Sequence, residues 1–172
     1  GLGQPVKAKQ YLEAFQKVQS DAPTAKLLAR IYIGEGNPAS AVTLLESYLR
    51  AQPGDGQAIT LLASAHVALG RPAKSAALLK DALKTQDAPS FRSALGLSLI
   101  GSGQAASGIP ELEAAYKKDP RQTQAGSALV QLYLRAGQSR KAIPVAEGLV
   151  KLQANNADFH NLLGMALGQS GN

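Results

Sequence analysis

Cysteine and tryptophan are both absent from the 172 residues, methionine occurs once, and aromatic side chains make up only 5%. The lack of cysteine excludes disulfides, thiolate metal sites, iron–sulfur clusters and cysteine nucleophiles. It leaves the redox compartment open, because oxidising and reducing compartments both hold cysteine-free chains. Scarce aromatics count against a strand-rich core and favour closely packed helices built on Leu and Ala. Charged residues are 17% against 45% hydrophobic, and mean hydropathy is −0.09. That balance excludes a disordered chain and a membrane-spanning one. A folded all-α chain follows, long enough to bury about 70% of its unfolded surface. The opening Gly1-Leu2-Gly3-Gln4-Pro5 has no positive n-region and no apolar export core. The expectation is therefore a cytosolic chain or one whose start has been removed.

What the sequence does contain is a period. A Gly followed by a polar residue recurs at Gly3, Gly36, Gly70, Gly103, Gly137 and Gly171, at spacings of 33, 34, 33, 34 and 34. Each Gly closes an apolar helical run, where a left-handed residue is wanted, and Pro38 and Pro72 then sit where a helix tolerates proline. Between these turns lie Asp21-Ala22-Pro23, Gln52-Pro53-Gly54-Asp55, Asp87-Ala88-Pro89, Asp119-Pro120 and Asn155-Asn156-Ala157-Asp158, all rich in stop and N-cap residues. The period therefore holds two helices, and about ten are predicted, near 5–18, 22–35, 38–51, 56–69, 72–85, 89–102, 105–118, 123–136, 139–152 and 157–170.

A helix–turn–helix period of about 34 residues resembles the tetratricopeptide-repeat (TPR) family over the whole chain. In that family's register the small residue inside each first helix is Ala29, Ala63, Gly96, Val130 and Gly164, preceded each time by Leu28, Leu62, Leu95, Leu129 and Leu163. The aromatic one turn on is Tyr32 and Tyr133, replaced by His66, Leu99 and Leu167 elsewhere; the small residue of the second helix is Ala8, Ala41, Ser75, Gly108 and Ala142. The departures are the missing Trp, Val130 at a small position and Tyr48 where Ala is usual. Stripes such as Ala25, Leu28, Ala29, Tyr32 and Ala41, Leu45, Tyr48, Leu49 meet face to face. One hairpin cannot bury both, so the repeats stack into an α-α superhelix.

That register divides 1–172 into a half repeat at 1–21, repeats at 22–55, 56–88, 89–122 and 123–156, and a half repeat at 157–172. Leu162, Leu163, Met165 and Leu167 on the last helix then lack a following partner. The expectation is a piece of a longer array, with end-to-end pairing of two copies as a further possibility.

The resemblance also implies a concave groove lined by the first helices. Its residues here are Lys26 and Arg30, Thr60 and Ser64, Ser93 and Leu97, Ser127 and Gln131 with Arg135 one turn on, then Asn161 and Met165. Each pair is spaced i, i+4 and shares a face. Hydroxyls between mildly basic ends suit an extended polypeptide, with Lys26 and Arg30 receiving a carboxylate. The competing reading is an unused solvated surface. Chaperone-binding members of the family hold a C-terminal carboxylate with Lys and Asn pairs; only Lys26 and Arg30 echo one of these, and the Asn partners are missing.

Nothing reads as an enzyme, a cofactor site or a metal site. His66 and His160 fall on packing positions, Glu111 and Glu113 diverge at i, i+2, and Gly34-Glu35-Gly36 and Gly101-Ser102-Gly103 lack the strand that a phosphate loop needs. The net charge, 18 − 12 = +6, is dispersed over second helices and interleaved with acids, which argues against nucleic acid as a partner. Pro110 and Pro144 occupy one register inside two second helices, so those helices should bend there or start late.

Four stretches bear a narrower resemblance, to the tetratricopeptide-repeat lipoprotein of the PEP-CTERM/exosortase exopolysaccharide system. They are 26–32, 94–98, 108–115 and 160–164 (KLLARIY, ALGLS, GIPELEAA and HNLLG). The resemblance implies a periplasmic, outer-membrane-anchored scaffold tied to polysaccharide or protein export, with another protein, an extended peptide or polysaccharide itself as partner. A cytosolic adaptor is the alternative.

Overall fold

The computed structural model describes residues 22–171. Within them the chain forms nine α-helices and no strand: α1 Ala22–Gly34, α2 Pro38–Ala51, α3 Gly56–Ala68, α4 Pro72–Thr85, α5 Pro89–Gly101, α6 Ala105–Lys118, α7 Thr123–Arg135, α8 Ser139–Leu152 and α9 Ala157–Ser170. The expected all-α repeat fold is therefore the observed one. The helix expected at 5–18, with the half repeat at 1–21 and Ala8, lies outside the described residues. Four first helices end one residue earlier than expected, because that residue is the cap. In α3, Leu69 takes φ −81°, ψ 5°, its N–H still bonding the Ala65 carbonyl.

The glycine after each cap does what its period predicts. Gly36, Gly70, Gly103 and Gly137 adopt φ of +74°, +68°, +78° and +68°, a conformation that costs other residues a Cβ clash. The next residue then reaches back: Asn37, Arg71, Gln104 and Gln138 donate to the carbonyls of Tyr32, His66, Leu99 and Tyr133 at 2.8 to 2.9 Å. This six-residue closure satisfies carbonyls that the helix end would orphan.

The chain divides into two compact units, one ending at Ala82 and one starting at Leu83. In the first, Ala29, Ala41, Leu45, Ala58, Leu62 and Ala65 make a core flanked by Tyr32 and Tyr48. Small residues on facing helices let the axes approach while Leu fills the space between. In the second, Leu112, Leu129, Val130, Tyr133, Leu149, Phe159 and Leu162 share one core with five alanines. Here α5 and α6 come to backbone contact. A Cβ placed on Gly96 would lie 2.7 Å from the Leu112 side chain and 2.8 Å from the Gly108 carbonyl oxygen, and one on Gly108 would lie 2.7 Å from the Gly96 carbonyl oxygen.

Helices α6 and α8 run unbroken through Pro110 and Pro144 from Ala105 and Ser139, so of the two expected outcomes, a bend or a late start, the late start does not occur. The Gln104 and Gln138 carbonyls already accept from Gly108 and Ala142 at 3.0 and 3.2 Å. The first turn thus closes before the proline, which forfeits one bond only. On α9, Leu162 is 6% exposed and belongs to the core, Leu163 and Leu167 are half-buried, and Met165 alone stays open at 45%.

Candidate functional site

The first-helix residues expected to line a groove fall into two chemically different sets. In the first unit, α1 and α3 carry Lys26, Arg30, Thr60 and Ser64. The Lys26 ammonium lies 2.8 Å from the Asp55 carboxylate, with only 18% and 16% of the two side chains exposed. Asp55 is the N-cap of α3, accepting the Gln57 and Ala58 N–H groups at 3.0 Å, and it also accepts the Tyr48 hydroxyl at 2.8 Å. Burial pushes this carboxyl up, but Lys26, the Ala58 N–H and Tyr48 outweigh it and hold it at about 2. Burial and the neighbouring Asp55 push the Tyr48 hydroxyl up. Lys26 is thus committed to joining α1 to α3 and does not wait for a carboxylate. The Thr60 and Ser64 hydroxyls donate to the Gly56 and Thr60 carbonyls of their own helix at 2.8 and 3.0 Å. Arg30 is exposed.

In the second unit the equivalent face is open. An accessible cavity of about 440 Å³ is lined by Leu97 of α5, by Thr123, Gln124, Ser127, Ala128 and Gln131 of α7, and by Phe159 of α9. Leu97, Ser127 and Gln131 are thus brought together as expected. Ser93 is 4% exposed and lies beneath that face, while Arg135, Asn161 and Met165 are exposed but outside the lining. Thr123, Gln124, Ala128 and Phe159 were not foreseen. The signal for the first three is a second i, i+4 stripe, 124 and 128, beside 123, 127 and 131; Phe159 arrives from the next first helix. None of the lining side chains is ionisable.

Charge sits elsewhere in this unit. Arg92 bridges Asp87 at 2.6 Å and Glu111 at 2.8 Å, and Lys118 holds Asp87 at 3.0 Å. Arg92 and Lys118 together pull the Asp87 carboxyl below its ordinary range. Glu113 accepts the Tyr133 hydroxyl, and burial, then that carboxylate, push the hydroxyl up. Lys141 stands 5.6 Å above the Tyr133 ring. Glu111 and Glu113 therefore serve different partners, as their diverging spacing predicts.

The histidines part company. His66 is buried at 9% exposure, as a packing residue, and its Nδ1 has no partner among the described residues. His160 is exposed, contrary to the packing role expected of it, with Nε2 2.7 Å from the Ala154 carbonyl oxygen of the preceding turn. Among the described residues no three His, Asp or Glu side chains gather to hold a metal, and no helix is long and apolar enough to cross a membrane.

Known proteins share this geometry. A tetratricopeptide-repeat family profile matches residues 1–58, 32–97 and 99–166. Cellulose synthase operon protein C of Escherichia coli strain K12 is 35% identical over 79 residues, 44% of this chain and 7% of that protein; the chain thus spans a small part of that relative's length. Among solved structures, a thermophilic TPR protein of Thermus thermophilus superposes with a TM-score of 0.80 at 21% identity, covering 96% and 92% of the two chains. MamA does so at 0.67 and 18%, covering 84% and 85%. At such identities these two show the fold alone.

Proposed function

Because this chain belongs to the tetratricopeptide-repeat family, we propose that it is a non-catalytic scaffold that binds another polypeptide along its first-helix face. We place it in a bacterial envelope assembly that exports polysaccharide. The observation that carries the binding reading is the open, uncharged cavity shared by α5, α7 and α9, a shape and size suited to a ligand segment and without groups for acid–base or metal chemistry. The export setting draws support from the 35% identity to a cellulose synthase operon protein. The periplasmic, outer-membrane-anchored lipoprotein of an exosortase system is the finer version of this reading, and it rests on the four quoted stretches.

The test is deletion of the encoding gene in its own host. Secreted polysaccharide should fall at least tenfold while the polymerising enzyme stays at its normal level, and the protein should fractionate with the envelope. Unchanged secretion, or a purely cytosolic protein, would leave the adaptor alternative. A second reading, that the face holds the glycan itself, is favoured by the hydroxyl and amide groups around the cavity; retention of the purified chain on amorphous cellulose would support it.

A further inference from the structure

The lining of the second-unit cavity specifies its occupant more narrowly than the scaffold reading on which this step depends. Thr123, Ser127 and Gln131 follow one another at i, i+4 and i+8 on α7, which sets them about 6 Å apart along the axis. In an extended peptide, backbone groups on one side recur every second residue, about 6.6 Å apart. The two rulers nearly coincide, so one stripe of α7 meets successive same-side N–H and C=O groups of a chain lying along it. Side-chain hydroxyls and amides suit that task because they donate and accept. None of the side chains of Thr123, Gln124, Ser127 and Gln131 is hydrogen-bonded to another described residue, in contrast to Thr60 and Ser64, whose hydroxyls donate to their own helix.

The rest of the lining selects the side chain and the charge. Leu97, Ala128 and Phe159 give the cavity an apolar part, and Phe159, only 7% exposed, closes it without offering a broad ring face on which a sugar could lie. A carboxylate or ammonium entering here would meet no counter-charge among the lining side chains. We infer that this cavity binds an uncharged, extended peptide segment, with its backbone along Thr123, Ser127 and Gln131 and one aliphatic side chain seated against Leu97, Ala128 and Phe159.

The experiment is selection of a random decapeptide display library on the intact chain. Enriched sequences are then synthesised with acetylated and amidated ends and titrated by fluorescence anisotropy. The expected result is an uncharged stretch with a fixed Leu, Ile, Val or Met, whose dissociation constant rises at least tenfold in Ala128→Lys. Gln131→Lys, at an exposed position, should weaken it similarly and covers the case in which Ala128→Lys fails to fold. An acidic or carboxylate-terminated consensus, or peptides that bind both variants as well as the parent, overturns this inference and leaves the scaffold reading intact. Enrichment of no peptide overturns both, and retention of cello-oligosaccharide in the same assay would then move the site to the glycan class.

Discussion

In the first unit polar side chains of the first-helix face are drawn into the packing, whereas in the second several line an open cavity. In the first, a polar node of Lys26, Asp55 and Tyr48 links α1, α2 and the start of α3, which takes up the half-buried Lys26 ammonium. In the second, Gly96 and Gly108 let the α5 and α6 backbones touch, and the Arg92–Glu111 ion pair that also joins these two helices lies outside the cavity lining. A groove residue is available only where the packing does not already need it, so residue type at a register position does not by itself define a site.

Three perturbations would sharpen or break that contrast. The largest effect is expected from Gly108→Val. Its new Cβ would stand 2.7 Å from the Gly96 backbone carbonyl, and neither backbone can yield cheaply; the loss should reach about 3–4 kcal/mol despite the better helix propensity of most residues over Gly. Urea unfolding followed by far-UV circular dichroism measures it, and a loss below about 1 kcal/mol would mean the two helices are not in contact.

Asp55→Ala should cost about 2 kcal/mol, combining a lost helix cap with a half-buried ion pair. Because the folded carboxyl sits at about 2 against an ordinary 3.8, its contribution is complete above the higher value and fades as pH falls through the lower one. The gap between parent and variant should therefore narrow from about pH 4 to pH 2, and a gap independent of pH in that window would show that Lys26 does not pair with Asp55.

The smallest effect is expected at His66. Burial lowers its pKa, with Glu46 opposing and Lys74 and Arg71 reinforcing the shift. The unfolded chain then takes up the proton first, so stability should decline as pH drops below about 6.5, the ordinary histidine value. His66→Leu should abolish that decline in thermal melts, and an unchanged slope would assign it to another group.

Much of the fold was legible because its signals are local. The glycine period, the prolines after it and the Asp and Asn caps fix helix ends within one residue, since each acts on its own turn. The site was legible only in part. Asp55 was readable as a cap, but its pairing with Lys26, 29 positions away, depends on how two repeats stack. Leu97, Ser127 and Gln131 followed from the register, whereas Phe159 enters from the next first helix and Ser93 lies beneath its neighbours. These depend on tertiary packing, which no spacing rule along a single helix records.

The recurring glycine closure carries a consequence for how such a chain changes length. Since Gly36, Gly70, Gly103 and Gly137 each end a helix by the same short-range bond, made by the next residue to a carbonyl one turn back, no closure consults anything beyond its own hairpin. Whole periods are therefore the natural unit of gain and loss, while the insertion of one residue inside a helix rotates every later side chain by about 100° and turns core into surface. Evolution along this chain is expected to proceed in steps of thirty-four, much as a text is edited by clauses.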